Sequence, residues 1–262
     1  MKLAEERLRN DPTSELWGEH RARYRFAIQS VLTAPRPDVL AASGVCWPSP
    51  RVLDVACGSG FGLQMLESAN VWPIGVDLDA TALAEARVLN PSARWARSDA
   101  TCLAFPHASF DLVTSFETIE HVPDAAALVR ELRRVLKPDG RLVLSTPNRA
   151  FGPPALHTGN PFHIREFTSQ QLRELLAECF SIINMFGQWP TREYRYVPFR
   201  IVEPDNAPAA VLWKLLNRLP FVLKNRLAHL LTGSGFYPGE ADYVFVPNQT
   251  DGAHSLVAVA HA

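Results

Sequence analysis

Short apolar runs alternate along the chain with amphipathic stretches, beginning at residue 51. The first run, Arg51–Ala56, is rich in branched residues and leads into glycines, as a buried parallel strand before a tight turn does. Further strands are predicted over Val71–Asp77, Ala93–Asp99, Phe110–Phe116, Arg141–Thr146, Phe180–Phe186 and His254–Ala262. Helices are predicted over Phe61–Ser68, Ala80–Leu89, Ala125–Leu136 and Thr168–Cys179, with a sharp turn at Lys137–Gly140. This alternation predicts an α/β, doubly wound sheet with helices on both faces.

Two segments depart from the alternation. Residues 1–50 begin with a helical pattern and predict an N-terminal helical cap. Residues 187–250 form a proline-dotted insertion between the last two strands, with helices predicted near Ala209–Leu219 and Val222–Leu231. We expect this insertion to act as a lid over the carboxyl edge of the sheet. A chain of 262 residues that is 47% hydrophobic fits a single domain, 1–262.

Composition excludes several classes of partner. The formal net charge is −1, from 26 basic and 27 acidic residues, so no nucleic-acid partner is expected. The four cysteines are scattered and indicate neither a disulfide framework nor a thiolate zinc site. No apolar run has the length of a membrane span, and the charged N-terminus lacks a signal-peptide core. We therefore expect a soluble, cytoplasmic protein.

A glycine loop follows the first strand, with glycines at 58, 60 and 62. A dinucleotide fingerprint would need glycine at Leu63, and no Lys-Ser/Thr pair follows for a phosphate-binding P-loop. Acids lie in or after three strands, at Asp54, Asp77 and Asp99. Ligands of open α/β sheets bind at these carboxyl ends, where an acid can accept hydrogen bonds from ribose hydroxyls. The alternative is that these acids only cap turns and helices of a ligand-free protein.

These segments, with Phe110–Phe116 and Leu132–Gly140, resemble the class I S-adenosylmethionine-dependent methyltransferases (type 11-like) over roughly residues 50–150. The resemblance implies a seven-stranded sheet in the order 3-2-1-4-5-7-6 with the last strand antiparallel. It implies that S-adenosylmethionine binds at Asp54, Ala56, Gly58, Gly60, Asp77, Leu78, Ser98, Asp99, Ala100 and Phe116. Asp54 and Gly58 would lie by the methionine end of that cofactor, Asp77 by its ribose and Asp99 by its adenine. Arg23 or Tyr24 is a further candidate, for the methionine carboxylate.

A second set of polar residues begins where the fourth strand ends. Glu117, Glu120 and His121 share one face if a helical turn starts there, and His163 follows the fifth strand. Such oxygen and nitrogen ligands suit a divalent metal: Mg, Mn, Fe or Zn. The pattern resembles the Glu-x-x-Glu-His motif of small-RNA 2′-O- and ubiquinone-pathway O-methyltransferases. Alternatively, the glutamates complement a helix N-terminus and His121 acts alone as a general base.

The functional prediction is methyl transfer to an acceptor hydroxyl of a small molecule, with His121 and Glu117 as catalytic residues. A divalent cation would favour two adjacent acceptor oxygens, as on a sugar or a catechol. Ser145–Arg149 and 160–163 also resemble segments of glycan and secondary-metabolite methyltransferases. An RNA 2′-O-methyltransferase and a non-catalytic S-adenosylmethionine-binding module are the alternatives.

Overall fold

The computed structural model describes residues 17–32, 49–151, 162–191, 218–233 and 235–262. Its strands are β1 (Arg51–Val55), β2 (Trp72–Asp77), β3 (Arg94–Arg97), β4 (Phe110–Phe116), β5 (Leu136–Pro147), β6 (Ile182–Pro190), β7 (Tyr243–Pro247) and β8 (Ser255–His261). Its helices are α1 (Trp17–Leu32), α2 (Phe61–Ser68), α3 (Ala80–Leu89), α4 (Ala125–Val135), α5 (Ser169–Ala177) and α6 (Phe221–Thr232). Short 3₁₀ turns occupy Ile119–His121 and Glu240–Asp242.

The strands form one mixed sheet in the order β3-β2-β1-β4-β5-β8-β6-β7. β1 to β5 pair in parallel, and β8 is antiparallel to both β5 and β6. The doubly wound α/β prediction is therefore confirmed, and the predicted order holds for the seven strands expected. The predicted number of strands is wrong, because β7 adds an eighth at the edge beside β6.

The central strands are buried because both of their faces are covered. All residues of β8 except the last are buried, and β4 is buried at all but one position. Helix α4 packs on this layer through Leu128, Leu132 and Val135, which share one face at helical spacing. The Asp124 side chain begins that helix by accepting a hydrogen bond from the Ala127 amide at 2.8 Å. This packing fixes the strand ends, where the candidate site residues lie.

One predicted turn has a different structure. The segment Lys137–Gly140 lies inside β5 as a bulge, since Phe110 of β4 pairs with Leu136 while Leu112 pairs with Arg141. The amide of Ala262 donates to the Gly140 carbonyl at 3.0 Å, which keeps the segment within the sheet. Proline and glycine therefore indicate an irregular backbone here but not a chain reversal.

Contacts between residues divide the chain into two compact units. The first contains Arg23–Trp189 and Phe245–Ala262, and so holds most of the sheet. The second contains Asp11–Ala22 and Pro190–Val244 and includes α6, which confirms the helix predicted near Val222–Leu231. Within this second unit Arg21 pairs with Glu240 at 2.9 Å. The helix predicted at Ala209–Leu219 lies mainly outside the described residues, and the lid role of 187–250 stays a prediction.

No helix among the described ranges is both long and apolar enough to cross a bilayer.

Candidate active site

The glycine loop leaves β1 with its backbone in unusual conformations. Ala56, Gly58 and Gly60 all have positive φ, of 60°, 55° and 78°. At Gly60 a side chain is excluded twice, because a Cβ atom there would also lie 2.3 Å from the Trp95 ring. The Gly58 amide donates to the Asp77 carboxylate at 2.9 Å, which ties the loop to the end of β2. The loop therefore presents backbone at the carboxyl edge without side chains in the way.

Asp54 lies at the base of this loop and is almost completely buried. Its carboxylate accepts hydrogen bonds from Tyr24 Oη at 2.9 Å and Thr114 Oγ1 at 2.7 Å. Burial raises the pKa of Asp54 to about 7, although these two hydrogen bonds lower it and the charge of Asp77 adds to the rise. The Tyr24 ring also makes edge contacts with Phe61 and Phe116. A carboxyl held this way gains from a positively charged ligand group nearby.

The next two predicted cofactor positions lie at the ends of β2 and β3. Asp77 accepts from the Asp79 amide at 2.8 Å through its second oxygen. Asp99 is exposed, and the amide and hydroxyl of Thr101 hold its pKa below the ordinary value. Leu78 is 59% exposed beside them, which offers an apolar surface at this edge. Ser98 and Ala100 flank Asp99, and the Ser98 amide donates to the Asp77 carbonyl at 3.2 Å.

Glu117 follows directly after β4 in a left-handed conformation with a φ of 49°. Its amide donates to the Ser145 carbonyl at 3.1 Å, and its Oε1 accepts from Ser145 Oγ at 2.7 Å. The same oxygen lies 3.2 Å from Nη1 of Arg23, whose side chain is 1% exposed. Glu117 is thus joined to a buried guanidinium and not to the histidines that follow it.

Glu120, His121 and His163 lie together, with one ligand atom of each within 4.8 Å of the others. The 3₁₀ turn carries the first two residues, and the amides of Ile164 and Arg165 donate to the Glu120 carbonyl, which places the His163 loop beside it. Glu120 Oε2 accepts from Thr146 Oγ1 at 3.0 Å. Glu120 Oε1 is buried and has no hydrogen-bond partner among the described residues. Burial, with the nearby charge of Glu117, raises the pKa of Glu120 above its usual range.

Both histidines are oriented by a second group. His121 Nδ1 lies 3.1 Å from the Phe162 carbonyl oxygen, and His163 Nδ1 lies 3.0 Å from Glu166 Oε1. If Nδ1 carries the proton in each neutral ring, the lone pair is on Nε2. The two rings meet edge to face with centroids 5.0 Å apart. A carboxylate or carbonyl behind each imidazole is the usual outer shell of a histidine metal ligand.

Several residues of the site were not predicted from the sequence. They are buried polar side chains in otherwise apolar strands: Thr114, Ser145, Thr146, Gln188 and Ser255. Glu166 was missed as well, because only the folded loop brings it to His163. A polar residue inside an apolar run was the available signal for the strand residues, since buried polar groups need partners.

Comparisons with known proteins show that the chain is similar to methyltransferases. Residues 53–144 match the family described as "Methyltransferase domain". A probable S-adenosylmethionine-dependent methyltransferase of Mycobacterium tuberculosis is 40% identical over 138 residues, 52% of this chain and 50% of that protein. The ubiquinone biosynthesis O-methyltransferase of Idiomarina loihiensis is 38% identical over 105 residues, 38% of this chain and 43% of that protein.

A solved structure shares the fold across nearly the whole chain. A possible histamine N-methyltransferase from Thermotoga maritima superposes with a TM-score of 0.58 at 16% identity, covering 94% of this chain and 92% of that one. The chain spans about half the length of the curated M. tuberculosis relative that it matches. Residues 53–144 therefore match a methyltransferase domain, in agreement with the resemblance drawn from the sequence.

Proposed function

We propose that this protein transfers a methyl group from S-adenosylmethionine to a hydroxyl of a small molecule, with a divalent cation held by Glu120, His121 and His163. The buried, unpartnered Oε1 of Glu120 beside two oriented imidazoles carries the cation part of the proposal. A buried carboxylate oxygen without a partner is costly, and a bound cation removes that cost.

The carboxyl edge of β1 to β3 fits S-adenosylmethionine. This cofactor supplies an electrophilic methyl group on a positively charged sulfur. Asp77 lies where ribose hydroxyls would be bound, and Leu78 offers an apolar surface for an adenine ring. Gly58 and Gly60 leave the loop between these residues and Asp54 without side chains, and the buried carboxyl of Asp54 suits the ammonium group of the methionine end.

The cation set fits metals that accept nitrogen and oxygen ligands. One carboxylate and two imidazoles are a common combination for Fe²⁺, Mn²⁺ and Zn²⁺, and they leave coordination positions open. A cation there would lower the pKa of an acceptor hydroxyl and fix its oxygen in place. Two adjacent hydroxyls would fill two open positions. We therefore favour a vicinal diol on a sugar or a catechol as the acceptor.

The protein's own contribution is placement. The Tyr24 ring packs edge to face on Phe116 at the end of β4, with centroids 4.9 Å apart, and Tyr24 also bonds Asp54. Holding two reactants in line makes the transfer effectively unimolecular and supplies much of the acceleration.

A panel of catechols and sugar diols tests the proposal, with methylated product measured by mass spectrometry before and after chelator treatment. We expect turnover to fall at least ~100-fold on chelation and in a Glu120→Gln, His163→Ala double variant. Exposed Glu178→Gln serves as the matched control and should retain wild-type turnover.

Turnover that is unchanged by the chelator and persists in the double variant would contradict the proposed cation. In that case His121, with Nδ1 directed to the Phe162 carbonyl, is the metal-free general base. An absence of methylated product with every acceptor, alongside intact cofactor binding, would favour a non-catalytic binding module.

A further inference from the structure

Arg23 is a fully buried cation whose guanidinium donates two hydrogen bonds and forms an ion pair. Nε donates to Gln188 Oε1 at 2.8 Å, and Nη2 donates to Ser255 Oγ at 2.9 Å. Nη1 lies 3.2 Å from Glu117 Oε1 as an ion pair without hydrogen-bond geometry. These partners come from β6, β8 and the end of β4. A buried guanidinium requires a negative charge close by, and the Glu117 carboxylate provides one.

Glu117 and Glu120 occupy different environments although they are three residues apart. The Glu117 side chain is 21% exposed and that of Glu120 is 0% exposed. Glu117 Oε1 already has two partners, Arg23 and Ser145, whereas Glu120 Oε1 has no hydrogen-bond partner among the described residues and lies 3.9 Å from His121 Nε2. The group of potential metal ligands accordingly contains Glu120, His121 and His163 but not Glu117.

We propose that Arg23 is a positioning residue that holds Glu117 outside the cation-ligand set, so that Glu117 binds the acceptor hydroxyl as a carboxylate. This inference rests on the proposed function. It gives Arg23 a different role from the methionine-carboxylate contact suggested by the sequence. It also separates the two glutamates, which the motif alone treats as equivalent ligands.

The physical reason is competition between two cations for one carboxylate. If the Glu117 carboxylate turns to a metal, Arg23 loses an ion pair that joins it to Glu117 at 3.2 Å. Breaking a buried pair costs far more than an exposed pair is worth. Ser145 adds to the restraint, because it bonds both the amide and the side chain of Glu117.

The chemistry assigned to Glu117 is proton transfer. The acceptor O–H bond breaks as its proton passes to the Glu117 carboxylate, while the acceptor oxygen forms a bond to the methyl carbon. The electron pair of the broken carbon–sulfur bond stays on sulfur, which becomes a neutral thioether. Glu117 is the more exposed of the two carboxylates and so the one that an acceptor can reach.

Cobalt(II) alone, titrated into chelator-treated, cofactor-free protein and followed by its visible absorption, tests the ligand assignment. We expect Glu120→Gln to weaken Co²⁺ binding at least ~30-fold and Glu117→Gln to change it less than ~3-fold, because only the former removes a ligand. Equal losses in both variants would overturn the inference. Wild-type protein that binds no Co²⁺ would instead overturn the cation in the proposed function.

The Arg23–Glu117 pairing is tested separately, in the presence of chelator, by a double-mutant cycle on the thermal midpoint. We expect Arg23→Gln and Glu117→Gln together to lower the midpoint by less than the sum of their separate effects, because each single variant already breaks the pair. The partly buried pair Arg134–Glu131, at 2.7 Å, is the control cycle. Additive losses at Arg23 and Glu117 would overturn the inference whether or not a metal binds.

A final measurement tests whether Glu117 takes the acceptor proton. With catechol as the acceptor, we expect Glu117→Gln to lower kcat at least ~100-fold while the KM for S-adenosylmethionine changes little. An unchanged kcat in a folded Glu117→Gln variant would contradict the assignment of proton transfer to this carboxylate.

Discussion

At the scale of single residues, Asp54 shows how burial and charge conflict at the base of the glycine loop. The carboxyl is 1% exposed, and its pKa is raised to about 7 mainly by that burial. Hydrogen bonds from Tyr24 and Thr114 only partly compensate. An unfolded chain would ionise the same group near its ordinary pKa of 3.8. The folded protein therefore holds a proton that the unfolded chain releases between those two values.

This difference predicts that Asp54 makes the cofactor-free protein less stable as the pH rises from about 4 to about 7. The folded state binds more protons in that interval, so its stability falls with pH, by at most ~4 kcal/mol from this group. Denaturant unfolding of wild type and Asp54→Asn from pH 4 to 8 measures the effect as the difference between the two curves. Parallel curves would show that Asp54 ionises normally in the folded protein.

At the scale of elements, α1 contributes to the site through two consecutive residues, Arg23 and Tyr24. The Tyr24 ring packs over Gly62 of α2 so closely that a Cβ atom there would lie 2.0 Å from a ring carbon. Gly62 therefore serves the packing of two helices. Gly58 differs, because its requirement is a positive φ of 55° with no atom within 4 Å of an added Cβ.

The two glycines give a matched comparison. We expect Gly62→Ala to destabilise the protein by ~1–3 kcal/mol, since the Tyr24 ring must move off Asp54. Gly58→Ala should cost ~1 kcal/mol from backbone conformation alone. Thermal unfolding followed by near-ultraviolet circular dichroism should also show a changed aromatic signal in Gly62→Ala only. Equal effects on both the midpoint and the aromatic signal would contradict this account.

The elements were predictable where burial imposes a pattern. Strand β4 is buried on both faces and mostly apolar, and Phe110–Phe116 was predicted with its observed bounds. Strand β7 was missed although Tyr243–Pro247 is an apolar run of aromatic and β-branched residues, because it lies inside the segment interpreted as an insertion. The residues of the candidate site also fall into predictable and unpredictable groups. Acids at strand ends were visible from local pattern, whereas the Arg23–Glu117 pair joins distant positions and no local pattern reports it.

At the scale of the whole molecule, charge separates the candidate acceptors. A net charge of −1 provides no general attraction for a polyanion. The motif shared with small-RNA methyltransferases does not by itself supply one, because binding RNA requires many phosphate contacts as well as a reactive centre.

We therefore expect no salt-sensitive affinity for RNA. Filter binding of a short RNA duplex over a series of salt concentrations should give dissociation constants weaker than ~100 µM at physiological salt, with little slope. An RNA affinity that falls steeply as salt rises would instead support the RNA 2′-O-methyltransferase alternative.

The partners of Arg23 also have a consequence for how the protein folds. Its bonds to Gln188 and Ser255 span 165 and 232 positions of sequence. During synthesis, β8 must be made before it can enter between β5 and β6 and complete the polar network around this arginine. Contacts that close such long loops form slowly, and an unpaired central strand position is open to aggregation until they do. Catalytic competence should therefore be a late event in the maturation of each nascent chain, appearing after the β1–β5 half of the sheet has formed.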